Sequence, residues 1–391
     1  MPTSLVAGTR PWQRLRIPVM AAALLAGTAA VPAAATTAAD RSAPSAGASQ
    51  SAPSKYALTE LDAPDAGTAS FALGLSPQGH VVGTARTTSN RLPQIATRWS
   101  EGKVTSLGSL PGSTFSRAFG QNARGEAVGE ATAANGSTRA VLFDRDGTVR
   151  DLGTLGGSSS AVANDLNARG TAVGASAGTA VVFGTRGPTA LPPLDQSVSG
   201  TSRADAINDR GQIAGFAPAA VARSQNPVGQ AVLWTPRGRD HVASGLERLA
   251  PARFSRAYDV NARGEAVGEA GRDSEAGASV TRAVRWDGQA VHELPPVESY
   301  RFTRANAVSN DGDVVGHASG FFGFATIDGA AVLWRGGVAH DLNDLVADAD
   351  GFVLRSAEDV DETGRIIGFG TVDGQTRGFL LTPIPSEPAR K

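Results

Sequence analysis

A chain of 391 residues with 41% apolar residues, 47 glycines and no cysteine has material for one large β-rich domain or two ordinary ones. It excludes disulfides, thiolate metal sites and thiol nucleophiles. The formal net charge of −1 carries no electrostatic footprint for nucleic acid or an anionic membrane surface.

The first 35 residues read as an export signal. Arg10, Arg14 and Arg16 precede an apolar run over 17–31, and "PAAA" at 32–35 supplies small residues for cleavage after Ala35. Gly27 and Thr28 interrupt the run, which is shorter than the roughly 18 apolar residues of a membrane span. The expectation is a general secretory route, an extracellular location and no membrane attachment after cleavage. Residues 36–54 are small, polar and proline-bearing, too poor in apolar surface to order themselves, and read as a spacer. The repeat domain is expected over 55–385, with a short tail at 386–391.

The domain opens with one unpaired strand candidate, "YALTEL" (56–61). Then the pattern Ala-x-x-x-(Asn/Ser/Asp)-x-x-Gly-x-x-x-Gly occurs seven times. Its first glycines are Gly79, Gly125, Gly170, Gly211, Gly264, Gly312 and Gly364; its second are Gly83, Gly129, Gly174, Gly215, Gly268, Gly316 and Gly368. The second glycines fall 41 to 53 residues apart, a period that marks a repeat architecture. Residues 116–131 and 255–270 match at 13 of 16 positions. The Asn, Ser or Asp starts a turn with its side chain. The first Gly supplies a positive φ at a tight hairpin, and the second lets a neighbouring strand or blade come close.

Two further strands complete each repeat. One ends in an aromatic: Trp99, Phe143, Phe183, Trp234, Trp286, Trp334 and, in the last copy, Phe379. These read as core between repeats. The other is of the type "VRDLGTL" (149–155). The last repeat stops at "GFLLTPI" (378–384) and lacks this fourth strand, while the first is preceded by an extra one. The two ends complete each other if the repeats form a ring, so the fold expected is an all-β, seven-bladed β-propeller of four-stranded blades. It is closed by the N-terminal strand joining the last blade, with the Ala-to-Asn strand innermost. A β-solenoid or a pair of β-sandwiches is the competing arrangement.

"DLGTLGGSSSAVANDLNARGTAVG" (151–174), "AVLW" with a downstream "HDLNDL" (340–345), and "AEDVDETGRIIGFGTVDGQTRGFLLTP" (357–383) resemble the HAF-repeat family of bacterial extracellular proteins. The resemblance covers about 56–383 and implies export and repetition. The histidine of the family's His-Ala-Phe triplet is replaced here by Arg139, Thr179, Gln230, Arg282, Ala330 or Arg377, so no histidine role carries over.

Catalytic chemistry is sparse. "GASAG" around Ser176 matches the nucleophile-elbow pattern, but that motif needs a strand-to-helix turn and Gly174 closes a β-strand. The five histidines lack metal-binding spacing and read as solvated surface groups. Asp344, Asp348 and Asp350 suggest a calcium loop, in competition with a plain turn; no other cofactor is expected. Asp165, Asp259 and Asp359 share one repeat position and are the carboxylates on which a secreted glycan hydrolase or lyase would rely. Arg117, Arg203, Arg256 and Arg304 all precede the repeat Ala. On innermost strands they stand at one mouth of the channel, where they would bind a carboxylate or phosphate. The competing reading pairs each with a local acid such as Asp205 or Asp259. Phe321, Phe322 and Phe324 mark the variable loop 319–329 as a glycan or protein contact. The sequence thus points to a secreted, monomeric binding or scaffold protein for an extracellular glycan or protein, with the enzyme as the alternative.

Overall fold

The computed structural model describes residues 55–385, apart from 89–92, 221–227, 251, 274–278, 299 and 321–327. The described chain forms seven four-stranded antiparallel sheets and almost no helix. Blades 1 to 6 are consecutive hairpins whose inner strands are Ala69–Leu75, Ser116–Gln121, Ala161–Leu166, Arg203–Ile207, Phe254–Val260 and Phe302–Val308. Blade 7 has the inner strand Val353–Val360, then Ile366–Val372 and Gln375–Pro383, and takes its outer strand from the far end of the chain, Tyr56–Leu61. Tyr56 pairs with Pro383 and Leu61 with Gly378. The expected ring closure and strand order are therefore found.

The repeat residues explain the blade. The first glycines all have φ between +76° and +89°, the left-handed region that a Cβ disfavours. At each second glycine, a Cβ would stand 1.9–2.0 Å from a carbonyl oxygen of the same blade's inner strand. The close approach is thus within the blade. In every blade the register slips by one residue just after the repeat Ala, as between Ala118 and Gly120 or Ala257 and Asp259. This bulge bends the inner strand and leaves an extra residue on the channel side.

Between blades the core is apolar. The repeat Ala is fully buried in all seven copies, and Trp99, Trp234, Trp286 and Trp334 are at most 4% exposed. Each indole Nε1 donates to a carbonyl in the connection entering its own blade: Asp62, Pro192, Glu247 and Pro295, at 2.6–2.9 Å. This satisfies the one polar atom that burial would otherwise orphan.

Two sets of polar clips join the blades. On the inner strand, a hydroxyl two residues before the repeat Ala accepts an amide of the preceding blade's third strand. Ser116 accepts from Ala96, Ser202 from Ala180, Ser255 from Ala231, Thr303 from Ala283, and Ser70 from Gly378. At the turns, Asn122, Asn167, Asn208 and Asn261 accept two amides of their own turn, as the sequence suggests. Each also donates from Nδ2 to the turn carbonyl of the next blade: Asn167, Asn208, Asn261 and Ser309 in order. Replacing Asn261 by Asp keeps the acceptor and loses the donor. It is expected to cost about 2 kcal/mol, because the Ser309 carbonyl and the Glu265 carboxylate, to which Nδ2 also donates at 2.6 Å, are both left facing an anion in a buried site. Chemical denaturation of the variant would check this; an unchanged midpoint would show that the cross-blade bond adds nothing.

Candidate functional site

The inner strands present three positions to the channel: the residue before the repeat Ala, the residue after it, and the next one, displaced by the bulge. The first position holds Arg117, Arg203, Arg256 and Arg304 in blades 2, 4, 5 and 6. The structure brings the last three together as an arc on adjacent blades, while Arg117 stands two blades from Arg203.

Their partners differ. Arg203 lies 2.6 Å from Asp205, the local pair weighed as the competing reading, and Arg117 lies 3.7 Å from Glu130. Arg304 donates from Nε to Asn306 Oδ1 at 2.7 Å, and its guanidinium is 5.0 Å from the Tyr258 ring. Arg256 is 5.0 Å from the Phe216 ring and 5.7 Å from Phe254. No carboxylate of the described residues lies within ion-pairing distance of Arg256. The sequence-level suggestion that Asp259 pairs with it is corrected: Asp259 is occupied elsewhere. Stacking on aromatic faces holds a guanidinium plane in place at little cost in solvation.

Asp165, Asp259 and Asp359 each bridge two blades. One oxygen accepts the amide of the following residue (Leu166, Val260, Val360), and the other an amide of the next blade (Ile207, Val308, Leu75), all at 2.7–2.8 Å. These carboxylates hold blades together. Burial pushes Asp165 up to about 7, against the Ile207 amide, and Asp259 up to about 6; Asp359 is raised well above the usual carboxylate range by burial and then by Asp259. The native chain therefore keeps these protons where the unfolded chain has lost them. Their contribution to stability is full below the unfolded carboxylate pKa and is lost as pH rises through about 6 to 7. The unfolding free energy is expected to be larger at pH 5 than at pH 8, with the difference reduced in Asp259→Asn. Denaturation midpoints across that range would check it, and a flat profile would contradict it.

Several channel groups escaped sequence reasoning. Tyr258 donates to Glu269 at 2.8 Å, and burial pushes its pKa up. His317, expected on the surface, is 8% exposed beside Ser356; burial and then Arg304 lower its pKa to about 3, so it stays neutral. Glu358, fixed by the Ser356 hydroxyl, has its pKa raised by burial. The position after the repeat Ala is Leu, Phe, Asn, Asp, Tyr, Asn and Glu around the ring, so no pattern announces it.

The other sequence candidates are dispersed. Ser176 Oγ donates to the Ser160 carbonyl at 3.0 Å and accepts the Leu155 amide, a structural arrangement. Asp348 accepts the Asp350 amide in a turn, and the Asp344 carbonyl accepts Lys55 Nζ at 2.7 Å. Among the described residues no three acidic or histidine side chains are grouped to hold a metal ion. Phe321, Phe322 and Phe324 lie outside the described residues.

Fold and channel together define the class: a seven-bladed β-propeller with a polar channel. No family model matches the chain, and no curated protein matches it significantly. Among solved structures it is similar to the β-propeller domain of the Trilobed protease from Pyrococcus furiosus, with a TM-score of 0.52 and 11% identity over 81% of this chain and 95% of that one. That domain is described as having an open velcro topology; here the terminal strands are hydrogen-bonded. A mutant of AofleA from Arthrobotrys oligospora is similar at a TM-score of 0.37 and 10% identity, over 84% and 86% of the two chains, too slight a likeness to argue from.

Proposed function

We propose that this chain is an exported binding protein of the HAF-repeat kind. Its arginine mouth engages an acidic extracellular partner, a uronate-bearing glycan or an acidic protein segment. Arg256 carries the reading: its guanidinium is stacked on two rings and, among the described residues, has no carboxylate within ion-pairing distance. Arg304, bonded to a neutral amide, adds a second charge on the adjacent blade. A planar cation held ready in this way matches a carboxylate bidentately. The basic, apolar and small-residue order of 1–35 supports export. Among the described residues no helix is long and apolar enough to cross a membrane.

The test is binding of oligogalacturonate to the purified chain at low and moderate salt. Salt-sensitive binding is expected, weakened about tenfold or more in Arg256→Ala and not restored by Arg256→Lys, which lacks the planar fork. Equal binding by wild type and Arg256→Ala would remove the arginine mouth as the site. Absence of binding to any acidic glycan would turn the search toward a protein partner and the 319–329 segment.

A further inference from the structure

The channel is polar at depth, but its mouth is divided. On blades 4 to 6 the position before the repeat Ala holds Arg203, Arg256 and Arg304. Phe216 lies against the first two, 5.7 Å from one guanidinium and 5.0 Å from the other, and Tyr258 lies 5.0 Å from the third. The other side of the ring, blades 7, 1, 2 and 3, is largely apolar at this level. There Phe71 of blade 1 meets Phe369 of blade 7 edge to face, with ring centroids 5.3 Å apart. On blade 2, Phe115 and Phe119 lie 5.2 and 5.5 Å from Arg117, whose charge is balanced by Glu130 at 3.7 Å. Blade 3 adds Val162 and, paired with it, Ala175. The four phenylalanines are half-buried, so each keeps part of its surface open to solvent. The hydroxyls on this side are taken: Thr84 donates to the Ile95 and Ser116 carbonyls at 3.3 Å, and Ser356 to Glu358. Sugar hydroxyls would leave water there without gaining partners, whereas aromatic side chains would bury apolar surface.

We infer that the mouth takes an extended acidic peptide segment in which acids alternate with aromatic residues, the acids on the Arg203, Arg256 and Arg304 side and the rings on the Phe71 and Phe369 side. The inference rests on the arginine-mouth reading and chooses the protein between the two partner classes given there. Successive side chains of an extended chain point to opposite sides. A strand lying across the mouth therefore delivers its two kinds of side chain to the two halves without twisting. The charge it meets is available: Arg256 has no carboxylate within ion-pairing distance among the described residues, and Arg304 is bonded to the neutral Asn306. A free aromatic acid carries one carboxylate and one ring, and would leave most of both halves uncovered.

The experiment is fluorescence anisotropy of the full chain with three labelled hexapeptides. One alternates aspartate with phenylalanine, one alternates aspartate with alanine, and one has the composition of the first with its acids and its rings in separate blocks. The alternating phenylalanine peptide is expected to bind about tenfold or more tightly than either of the others, the scale set by burying phenyl rings. Phe71→Ala should weaken it about tenfold and leave the alanine peptide unchanged, while Arg256→Ala should weaken both. Phe369→Leu keeps the volume and loses the ring, so it remains informative should Phe71→Ala fail to fold; it should lower the preference for phenylalanine over alanine about threefold. Equal affinity for the phenylalanine and alanine peptides, or for the alternating and blocked ones, would overturn the inference and leave the arginine mouth standing. So would oligogalacturonate binding more tightly than the phenylalanine peptide. Binding of none of these anions would remove the inference and the arginine mouth together.

Discussion

A chain beginning at residue 63 is expected to lose most of its folding stability, whereas one beginning at residue 55 unfolds like the full-length protein. The strand Tyr56–Leu61 is the outer strand of blade 7 and joins the two ends of the ring. It pairs along six residues with Gln375–Pro383 and buries Tyr56 and Leu61 at 0% and 6% exposure. Burying two such side chains is worth about 2–3 kcal/mol each. The strand is also held at its ends. The Tyr56 amide donates to Leu345, its carbonyl accepts from Ala347, and its hydroxyl accepts from Arg335 at 3.1 Å. Glu60 pairs with Arg377 at 3.2 Å. Losing about 5 kcal/mol from a domain whose whole stability is of order 5–15 kcal/mol leaves it marginal. Urea denaturation followed by circular dichroism would measure the loss. A peptide of residues 55–62 added in excess should recover part of it, because the vacated edge of blade 7 is its complement. A truncated chain with an unchanged midpoint would show that the ring closes through the packing of blades 1 and 7 alone.

Gly268→Ala should destabilise the protein by about 3 kcal/mol or more, beyond the cost of Gly264→Ala four residues earlier. At Gly268 the added carbon would stand 1.9 Å from the Arg256 carbonyl oxygen and 2.9 Å from its carbon. The obstacle is backbone in the middle of a hydrogen-bonded ladder, so relief requires the two strands to separate, at the upper end of the 1–3 kcal/mol typical of overpacking. At Gly264 the penalty is conformational. Its φ of +84° costs an alanine about 1–2 kcal/mol, and the smaller conformational freedom of the unfolded chain offsets part of that. Parallel denaturation of the two variants distinguishes the mechanisms. Equal losses would mean that the bulge opens readily and that the second glycine of the repeat is not a steric requirement. The Gly268 variant has a second consequence, since its clash lies at the carbonyl of Arg256. Movement there would shift the guanidinium off Phe216 and weaken any ligand at the mouth.

What the chain shows before folding depends on whether a residue's role is local. The first glycines and the turn-forming Asn, Ser and Asp act within a few residues of themselves, and the second glycines within one blade. Their spacing therefore carries them into the blade almost unaltered. The strand missing at one end and surplus at the other was enough to show that the ends meet. Roles that depend on distance between blades were not legible. The cross-blade bonds of Asn122 to Asn261, the hydroxyl clips of Ser116 or Thr303, and the bridging of Asp165 to Ile207 join residues some 20 to 53 positions apart. Nothing in the spacing says which partner is reached. The arginines show the same division: their common strand position was readable, and the identity of their partners was not. Asp205, the residue left unpaired by the bulge between Ala204 and Ala206, takes Arg203, and Arg256 lies against two phenylalanine rings.

The bridging aspartates have a further consequence, which is one of parity. Asp165, Asp259 and Asp359 occupy blades 3, 5 and 7, and each reaches forward over a small residue, Ala206, Ala307 or Gly74, at the equivalent position of the next blade. An alternation of large and small closes perfectly only around an even number. With seven blades one neighbour is always left over, as in a ring of antiferromagnetic spins with an odd count. The mismatch falls on blade 2, where Gly120 follows Gly74 and Gln121 reaches back to blade 1 in place of an aspartate. Blades 3–4 and 5–6 are therefore interchangeable as pairs and not singly. A shuffled or shortened ring would keep its alternation only if blades were moved two at a time.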